Sequence, residues 1–453
     1  MKLIEKEFLI PYNTSGNNSL LEYLAANVKN ELSATEIPVR FVITSTDNDG
    51  YQCELGVLQN IGINKRLKEE TIFTFKKREY ENTDKFNVVL LIPTGIGAEI
   101  GGHCGDGNVV ARLIASTCDT LITHPNVVNA SDINEMTDNT LYVEGSIITR
   151  LLMGQIGLQR TRSNRILMLM DKHEDKLFND EIINAVSTAR ISLGVDCDVY
   201  EMDNIINCES MYSKSGRAIG KIEKLEYLFE IIDKYYEKYD AIGLSTFINV
   251  PEFYHKNYFS NDDMINPWGG IEAMLTHSIA EKYNIPCAHS PMMASRKIME
   301  LEVGIVDPRK APESASITYL HCILKGLHKS PRITTPDKGI SIEDISCLII
   351  PSGCIGLPTL SALENGIPVI AVKENSNRME NKLEEYPFKH NKLFIVENYL
   401  EAVGVLNAIK SGIKLDTIRR PIEYTNVLNA KDDDWRVETT AIFAENINKP
   451  KNI

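Results

Sequence analysis

The chain has 453 residues, 43% hydrophobic and 24% charged, which is enough for about two or three domains of ordinary globular composition. A net charge of −14 without a cluster of Lys and Arg argues against a general nucleic-acid-binding protein. No apolar run approaches the roughly 20 residues needed to cross a bilayer, which argues against a membrane partner.

The opening segment and the cysteines bear on cellular location. Residues 1–13 carry acidic side chains inside an apolar stretch and lack a small-residue cleavage site, so they predict a strand and not a signal peptide. The nine cysteines form no CxxC pair, which is typical of reduced thiols. We therefore expect a cytoplasmic protein.

Residues 1–80 predict a small α/β subdomain. It would contain a strand near Phe8, a helix over Leu20–Leu32 and two strands joined at Asp47–Gly50, a turn sequence. A charged linker, Lys76–Lys85, would then lead into the next domain.

A glycine-rich loop follows the apolar run that begins at Asn87, with six glycines between residues 95 and 107. Its spacing is GxGxxxG and not the dinucleotide fingerprint GxGxxG. Three interpretations stay open: a nucleotide site, a site for another anion held by backbone N–H groups and the following helix, or glycines that only permit tight packing. The predicted ligand-binding residues here are Gly95, Gly97, Gly101, Gly102, Asp106 and Arg112.

Cys104 lies just after this loop, before the predicted helix 108–116. A helix N-terminus would stabilise its thiolate and make it a nucleophile. The alternative is a small side chain packed beside glycines.

Two further groups of polar residues follow predicted parallel strands, whose carboxyl ends are where α/β sheets bind ligands. His124 follows Thr120–Thr123 and is the predicted proton-transfer residue, with Glu144 orienting it and Asn126 and Asn129 binding ligand. A structural histidine in a turn is the alternative.

The second group contains Glu272, His277 and His289. Glu272 and His289 are predicted catalytic residues on the opposite side of the cleft. All three are candidate metal ligands, although no HExxH spacing is present. The alternative is that His289 ends a strand at the cleft while His277 fills a polar pocket.

The C-terminal part repeats the strand, glycine turn and helix pattern. Gly353 and Gly356 form the second turn, and Gly353–Arg378 locally resembles the segment that grips the diphosphate in sugar-nucleotide enzymes. The predicted fold is α/β, with two doubly wound, Rossmann-like parallel-sheet units around a cleft and a small N-terminal α/β subdomain. The expected domains are residues 1–80, 87–335 and 340–453.

Seven segments together resemble an uncharacterised family of cyanobacteria and plants known only as a domain of unknown function: PTGIGAEIGG, LITHPNVVNASD, LYVEG, LQRTRSNR, NPWGGIEAMLTH, IPCAHSPMM and TYLHCILKGLHKSPRI. The resemblance covers nearly the whole chain and implies no particular activity. It implies that members of the family tend to keep the residues at eleven positions: Gly101, Gly102, Asp106, Arg112, His124, Asn126, Asn129, Glu144, Glu272, His277 and His289. Many members have Tyr-Ala in place of His103-Cys104, which argues against Cys104 as the nucleophile.

The sequence thus predicts an enzyme that performs acid–base chemistry on a small anionic metabolite, by hydrolysis, isomerisation or elimination. One alternative is a nicotinamide-dependent oxidoreductase or a sugar-nucleotide enzyme, and another is a non-catalytic metabolite-binding protein. A nucleotide or a divalent metal is a candidate cofactor. A chain of this length and class is expected to form a homo-oligomer.

Overall fold

The computed structural model describes residues 1–13, 19–60, 71–261 and 263–425. Its strands are β1 Lys2–Pro11, β2 Ile37–Asp47, β3 Gly50–Gln59, β4 Asn87–Leu90, β5 Thr120–Thr123, β6 Thr140–Tyr142, β7 Gly157–Gln159, β8 Arg165–Asp171, β9 Asp196–Met202, β10 Asn207–Tyr212, β11 Ala218–Glu223, β12 Ala241–Ser245, β13 Cys287–His289, β14 Arg332–Thr334, β15 Ile345–Pro351, β16 Ile355–Gly356, β17 Val369–Val372 and β18 Leu393–Val396.

The helices are α1 Leu20–Asn30, α2 Asn108–Ala115, α3 Pro125–Val128, α4 Gly145–Leu152, α5 Lys176–Leu193, α6 Leu225–Tyr235, α7 Glu252–Ser260, α8 Gly269–Tyr283, α9 Arg296–Met299, α10 Ala311–Ser314, α11 Leu320–Lys329, α12 Leu357–Asn365, α13 Tyr399–Lys410 and α14 Leu415–Ile418. Short 3-10 helices cover Tyr236–Lys238, Ile342–Asp344 and Leu383–Glu385. None of the helices in the described part of the chain is long and apolar enough to cross a membrane.

A six-stranded parallel sheet forms the centre of the molecule, in the order β18-β17-β15-β4-β5-β6. Every residue of β4, β5 and β15 is buried, as expected for parallel strands covered on both faces. Helix α2 packs against α13, and α4 packs against α12, so two helix pairs accompany this sheet.

A second parallel sheet has four strands, in the order β13-β12-β8-β9. It is built from the segment between β6 and β15 of the chain. Helix α11 packs against α5, β12 and β8, and α8 packs against β13. The described residues therefore form a mixed α/β fold, which confirms the predicted class at that level.

The N-terminal strands do not form a subdomain of their own. β1, β2 and β3 belong to a six-stranded antiparallel sheet, in the order β10-β11-β1-β3-β2-β16. The turn between β2 and β3 lies where Asp47–Gly50 predicted it. Half of the strands in this sheet come from later in the chain. β11 pairs with β1, and β16 pairs with β2.

The central sheet also crosses the predicted boundary between residues 335 and 340. β4 from one side of that boundary pairs in parallel with β15 from the other, with Leu90 opposite Ile349. Strands as apolar as these satisfy their backbone groups by pairing inside one sheet, whichever part of the sequence supplies the partner. The predicted C-terminal unit extends to residue 453, and its last residues, 426–453, lie outside the described ones.

Candidate active site

A cavity of about 400 Å³ lies where strands of both parallel sheets end. Its wall includes Leu91 and Pro93 after β4, His124 after β5, Ile350 in β15 and Ser290 after β13. The carboxyl ends of parallel strands are the usual ligand-binding edge of an α/β fold. Of the predicted site residues, the cavity is lined by His124, Asn126, Asn129, Glu144, Glu272, His277, His289 and Gly356.

His277 and Glu144 form a hydrogen-bonded pair in this wall. His277 Nδ1 donates to Glu144 Oε1, and Glu144 Oε2 accepts from the backbone N–H groups of Ser146 and Ile147 at the start of α4. Burial raises the pKa of Glu144, but the charge of His277 and these hydrogen bonds outweigh it and lower that pKa overall. The carboxylate is therefore ionised and accepts from Nδ1–H, so that Nε2 is the remaining acceptor when the imidazole is neutral.

The sequence had predicted that Glu144 orients His124, and this pairing is wrong. Helix α8 packs against α4, which brings His277 onto the first turn of α4. A Cβ on Gly145 would lie 3.2 Å from His277 Cε1, so the glycine makes room for the ring. The motif Glu144-Gly145 indicated a carboxylate that orients a histidine. The histidine that Glu144 contacts, His277, is 133 residues away in the sequence.

His124 lies in the same wall, but its Nε2 is occupied. The backbone N–H of Ile92 donates to it at 3.1 Å, which leaves the proton on Nδ1. Burial lowers the pKa of His124 to about 4. The neutral ring is thus a hydrogen-bond donor toward the cavity and has no free lone pair for the predicted role of base.

Glu272 and His289 both line the cavity and lie beside each other. His289 Nδ1 is 3.7 Å from Glu272 Oε2, beyond hydrogen-bond distance, and has no hydrogen-bond partner among the described residues. Nε2 lies 2.9 Å from Thr246 Oγ1. His289 is 6% exposed, so Nδ1 is a buried polar atom beside the cavity with no acceptor of its own.

Glu313 is a cavity residue that the sequence did not reveal. Its Oε1 accepts hydrogen bonds from Cys104 N at 2.7 Å, Tyr258 Oη at 2.9 Å and Asn266 Nδ2 at 3.2 Å. Burial raises the pKa of Glu313 to about 7. It follows no predicted strand and belongs to the four-residue helix α10, so neither spacing nor periodicity marks it.

The candidate metal ligands do not assemble. His277 is held by Glu144, and across residues 1–13, 19–60, 71–261 and 263–425 no three histidine, cysteine or acidic side chains are grouped to hold a metal ion. Glu272, His277 and His289 are therefore not grouped as metal ligands in the described part of the chain.

Cys104 also fails as a nucleophile. Burial and the charge of Glu313 raise the pKa of its thiol. Sγ accepts a hydrogen bond from Ser131 N at 3.2 Å. The raised pKa keeps the thiol protonated at neutral pH, although Cys104 is half-buried and lines the cavity.

The glycines of the first loop are packed against protein and do not line the cavity. A Cβ on Gly95 would lie 2.6 Å from the carbonyl oxygen of Ala218, and one on Gly102 would lie 1.9 Å from that of Ala98. The corresponding atoms on Gly97 and Gly101 would lie 2.8 Å from Ile265 and 2.9 Å from Ile92. The third interpretation, tight packing, fits these glycines, which do not line the cavity.

The polar residues around the loop serve its structure. Asp106 Oδ1 accepts from the N–H of Gly101 at 2.8 Å, and burial raises the pKa of Asp106 to about 7. Asn126 donates to the carbonyl of Ile92 at 3.2 Å and to that of Gly101. Asn129 donates to Tyr142 Oη at 3.2 Å. Asp106 is therefore outside the cavity wall, while the two asparagines reach it with their amide groups already bonded.

Arg112 lies on the solvent side of α2 and is exposed. It does not line the cavity, so it is not placed to hold an anion there. The start of α2 packs against α3, with Asn108 Nδ2 donating to the carbonyl of Val128 at 2.8 Å. The positive end of this helix thus faces another helix.

The two glycines of the second turn differ in position. Gly353 has φ +85°, and a Cβ there would lie 2.6 Å from the carbonyl oxygen of Met379, so it is required by packing outside the cavity. Gly356 is the N-cap of α12 and does line the cavity.

Comparison with known proteins shows relatedness without a known activity. The chain is 32% identical over 337 residues to a protein of Synechococcus sp. named an uncharacterized lipoprotein, which covers 72% of this chain and 91% of the relative. The expectation of a cytoplasmic protein is contradicted by this relative's name and is not retained. No solved structure matches the chain.

A family model described as "Protein of unknown function (DUF3326)" matches residues 87–419. The match contains every candidate active-site residue described above. The sequence resemblance to an uncharacterised family is thereby confirmed, and the chain belongs to this family.

Proposed function

We propose that this protein is an enzyme that performs acid–base chemistry on a small anionic metabolite in the 400 Å³ cavity. The observation that carries the proposal is the His277–Glu144 pair in the wall of the same cavity as Glu313. An imidazole oriented by a carboxylate is a common general base, and a carboxyl group with a raised pKa is a common general acid. The cavity volume is within the range of small-molecule sites.

In the proposed reaction, His277 Nε2 takes a proton from the substrate, and Glu144 stabilises the imidazolium that forms. Glu313, with a pKa raised to about 7 by burial, delivers a proton to the substrate on the other side. His124 donates its Nδ1–H to a substrate oxygen where negative charge develops.

The test compares the wild-type protein with His277→Asn. Asn keeps a donor near the position of Nδ1, so Glu144 stays paired, but it removes Nε2. Both proteins are incubated in D2O with a panel of small carboxylates and phosphate esters, and mass spectrometry follows product formation and deuterium entry into each compound. We expect wild type to convert or deuterate at least one compound and His277→Asn to do so at least about 100-fold more slowly.

Equal rates in the two proteins would contradict the role of His277. Melting temperatures are measured on both, and we expect them to agree within a few degrees because the hydrogen bond to Glu144 is kept. Compounds that raise the wild-type melting temperature but are never converted would favour the alternative of a non-catalytic metabolite-binding protein.

The strand order of the central sheet supports a second candidate function. Counted from β4 in chain order, the strands from β6 to β18 follow 3-2-1-4-5-6, the order of dinucleotide-binding folds. On this proposal the two parallel sheets are doubly wound units, and a nicotinamide cofactor or sugar nucleotide binds where the order reverses, between β4 and β15. A saturable rise in melting temperature with NAD, NADP or a UDP-sugar supports it, and no rise at millimolar concentration contradicts it.

A further inference from the structure

Two arginines form part of the cavity wall, while their counterions lie outside it. Arg40 Nη2 donates to Glu5 Oε2 at 2.8 Å, and Arg217 Nη1 pairs with Glu54 Oε2. Arg40 and Arg217 line the cavity, but Glu5 and Glu54 do not. The two arginines and the two glutamates balance in charge. Because only the arginines line the cavity, this network presents positive charge to the cavity.

These guanidinium groups have unused donors. Arg217 is only 3% exposed, and its Nε has no hydrogen-bond partner among the described residues. Nε of Arg40 also has no hydrogen-bond partner among the described residues. A buried donor without an acceptor is destabilising, and a carboxylate or phosphate oxygen is the acceptor that a guanidinium binds best.

The first turn of α12 adds a second source of positive potential. Its N-cap is Gly356, no side chain caps it, and no acidic residue lies in its first turn. Gly356 pairs with Val42 across β16 and β2, so α12 begins beside the strand that carries Arg40. Gly356 and Thr359 line the cavity, which exposes this helix end to a ligand.

Another part of the wall is apolar. The segment of residues 291–303, which follows β13, contributes mainly aliphatic and thioether side chains: Met292, Met293, Ile298, Met299, Leu301 and Val303. Thioether side chains adapt to ligands of different shape. A substrate that fills the cavity therefore buries apolar groups as well as a charged one.

We propose that the cavity binds an amphipathic oxyanion. Its carboxylate or phosphate group lies against Arg40, Arg217 and the first turn of α12, and its apolar body lies along residues 291–303. This inference rests on the proposed function, because it names the substrate class of the same site. It also moves the anion from the first glycine loop to the second glycine turn.

The experiment measures binding by the full-length protein with four anionic probes: acetate, hexanoate, inorganic phosphate and hexyl phosphate. Hexanol is the neutral control. Calorimetric titration gives the dissociation constants. We expect at least one six-carbon anion to bind tenfold or more tightly than its short parent, since each buried methylene contributes roughly 0.8 kcal/mol, about fourfold in affinity. Hexanoate and hexyl phosphate together identify which head group the site takes.

Two variants test the location of the charged group. The double variant Arg217→Gln with Glu54→Gln removes one ion pair, keeps the net charge and leaves two amides that hydrogen-bond to each other. Arg40→Gln with Glu5→Gln is the second variant, because the Glu5 side chain is 1% exposed and would otherwise be left as a buried charge without its partner. We expect either variant to weaken binding of the six-carbon anion at least tenfold.

The same affinity in the wild type and in a folded arginine variant would overturn the proposal. So would hexanol binding as tightly as both six-carbon anions, or no binding of either anion. His277→Asn separates this inference from the proposed function, because it is expected to keep the affinity. Anion binding lost in the arginine variants, with no compound ever converted, supports the subsite and contradicts the enzyme.

Discussion

The glycines of the first loop, between residues 95 and 107, differ from the part of the cavity wall formed by α4, α8 and Glu313, both in what the sequence suggests and in what the residues do. The loop has the more conspicuous sequence, yet its glycines are pressed against backbone and side-chain atoms. The wall has an ordinary sequence, yet it holds a histidine paired with a carboxylate and a carboxyl group with a raised pKa.

The contrast teaches that glycines can serve a site without touching its ligand. Gly95 and Gly270 both lie over the carbonyl oxygen of Ala218, where a Cβ would come within 2.6 Å and 1.8 Å. These close approaches seat the start of α8 on β11 and on the loop. The same helix carries Glu272 and His277 into the cavity wall. The loop therefore positions the helix, and the helix presents the chemistry.

The largest expected effect comes from Glu144→Gln in the wall. The amide oxygen still accepts from Ser146 and Ile147, so α4 stays capped, but the amide nitrogen now donates to His277 Nδ1. The imidazole proton moves to Nε2, and the base is lost. We expect kcat on the substrate found in the D2O screen to fall about 100-fold or more, with KM nearly unchanged.

Steady-state kinetics on wild type and Glu144→Gln checks this prediction, with Glu272→Gln as the control. Glu272 lies 3.7 Å from His289 without a hydrogen bond, so its amide variant changes no tautomer. If both amide variants lose the same activity, Glu144 has no special relation to His277.

The next effect is a pH dependence of stability from Glu313. Its pKa is about 7 in the folded protein, against an ordinary value of 4.5 for a glutamate side chain. The folded state then binds more protons than the unfolded state between those values, so stability is present below pH 4.5 and is lost as pH rises to 7. The shift corresponds to about 3 kcal/mol as an order of magnitude.

Glu313→Gln removes this dependence, because the amide oxygen keeps the three hydrogen bonds and carries no proton to lose. Urea unfolding at pH 5, 6, 7 and 8 measures it. We expect the variant to gain stability relative to wild type across this range. Parallel curves for the two proteins would mean that Glu313 is an ordinary ionised carboxylate.

Much of the local structure follows from the sequence. The buried strands β4, β5 and β15 were expected from apolar runs, and residues such as His124 and His289 were expected at the ends of strands. The carboxyl ends of parallel strands meet at one edge, so several candidate residues do meet in one cavity.

The pairing of these residues does not follow from the sequence. Glu144 contacts His277 because α4 packs against α8. β4 pairs with β15 although the two strands are far apart in the sequence. Glu313 and Arg217 come from segments without any periodic signal. Glycine spacing is also ambiguous, since close approach to a ligand and close approach to a carbonyl group require the same residue.

A smaller effect on stability tests the loop. Gly102→Ala puts a Cβ 1.9 Å from the carbonyl oxygen of Ala98, so the backbone must shift. We expect the free energy of unfolding to fall by about 1–3 kcal/mol. Gly404→Ala in α13 is the matched control, because its Cβ would meet nothing within 4 Å.

The control is expected to gain up to about 1 kcal/mol, since alanine favours the helix over glycine. Chemical denaturation of both variants gives the difference. A Gly102→Ala protein as stable as Gly404→Ala would show that the loop has room, and the interpretation of the loop as an anion cradle would return.

The smallest effect is expected from Arg112→Ala, and it decides which helix end holds the anion. Arg112 is exposed in the last turn of α2, so its loss costs at most about 1 kcal/mol through the helix dipole. The affinity for hexyl phosphate or hexanoate is expected to stay the same, in contrast to the Arg217 variant. Titration of the two variants side by side makes the comparison. A tenfold loss of affinity in Arg112→Ala, with none in the Arg217 variant, would return the anion to the first glycine loop, because only a ligand near α2 senses that charge.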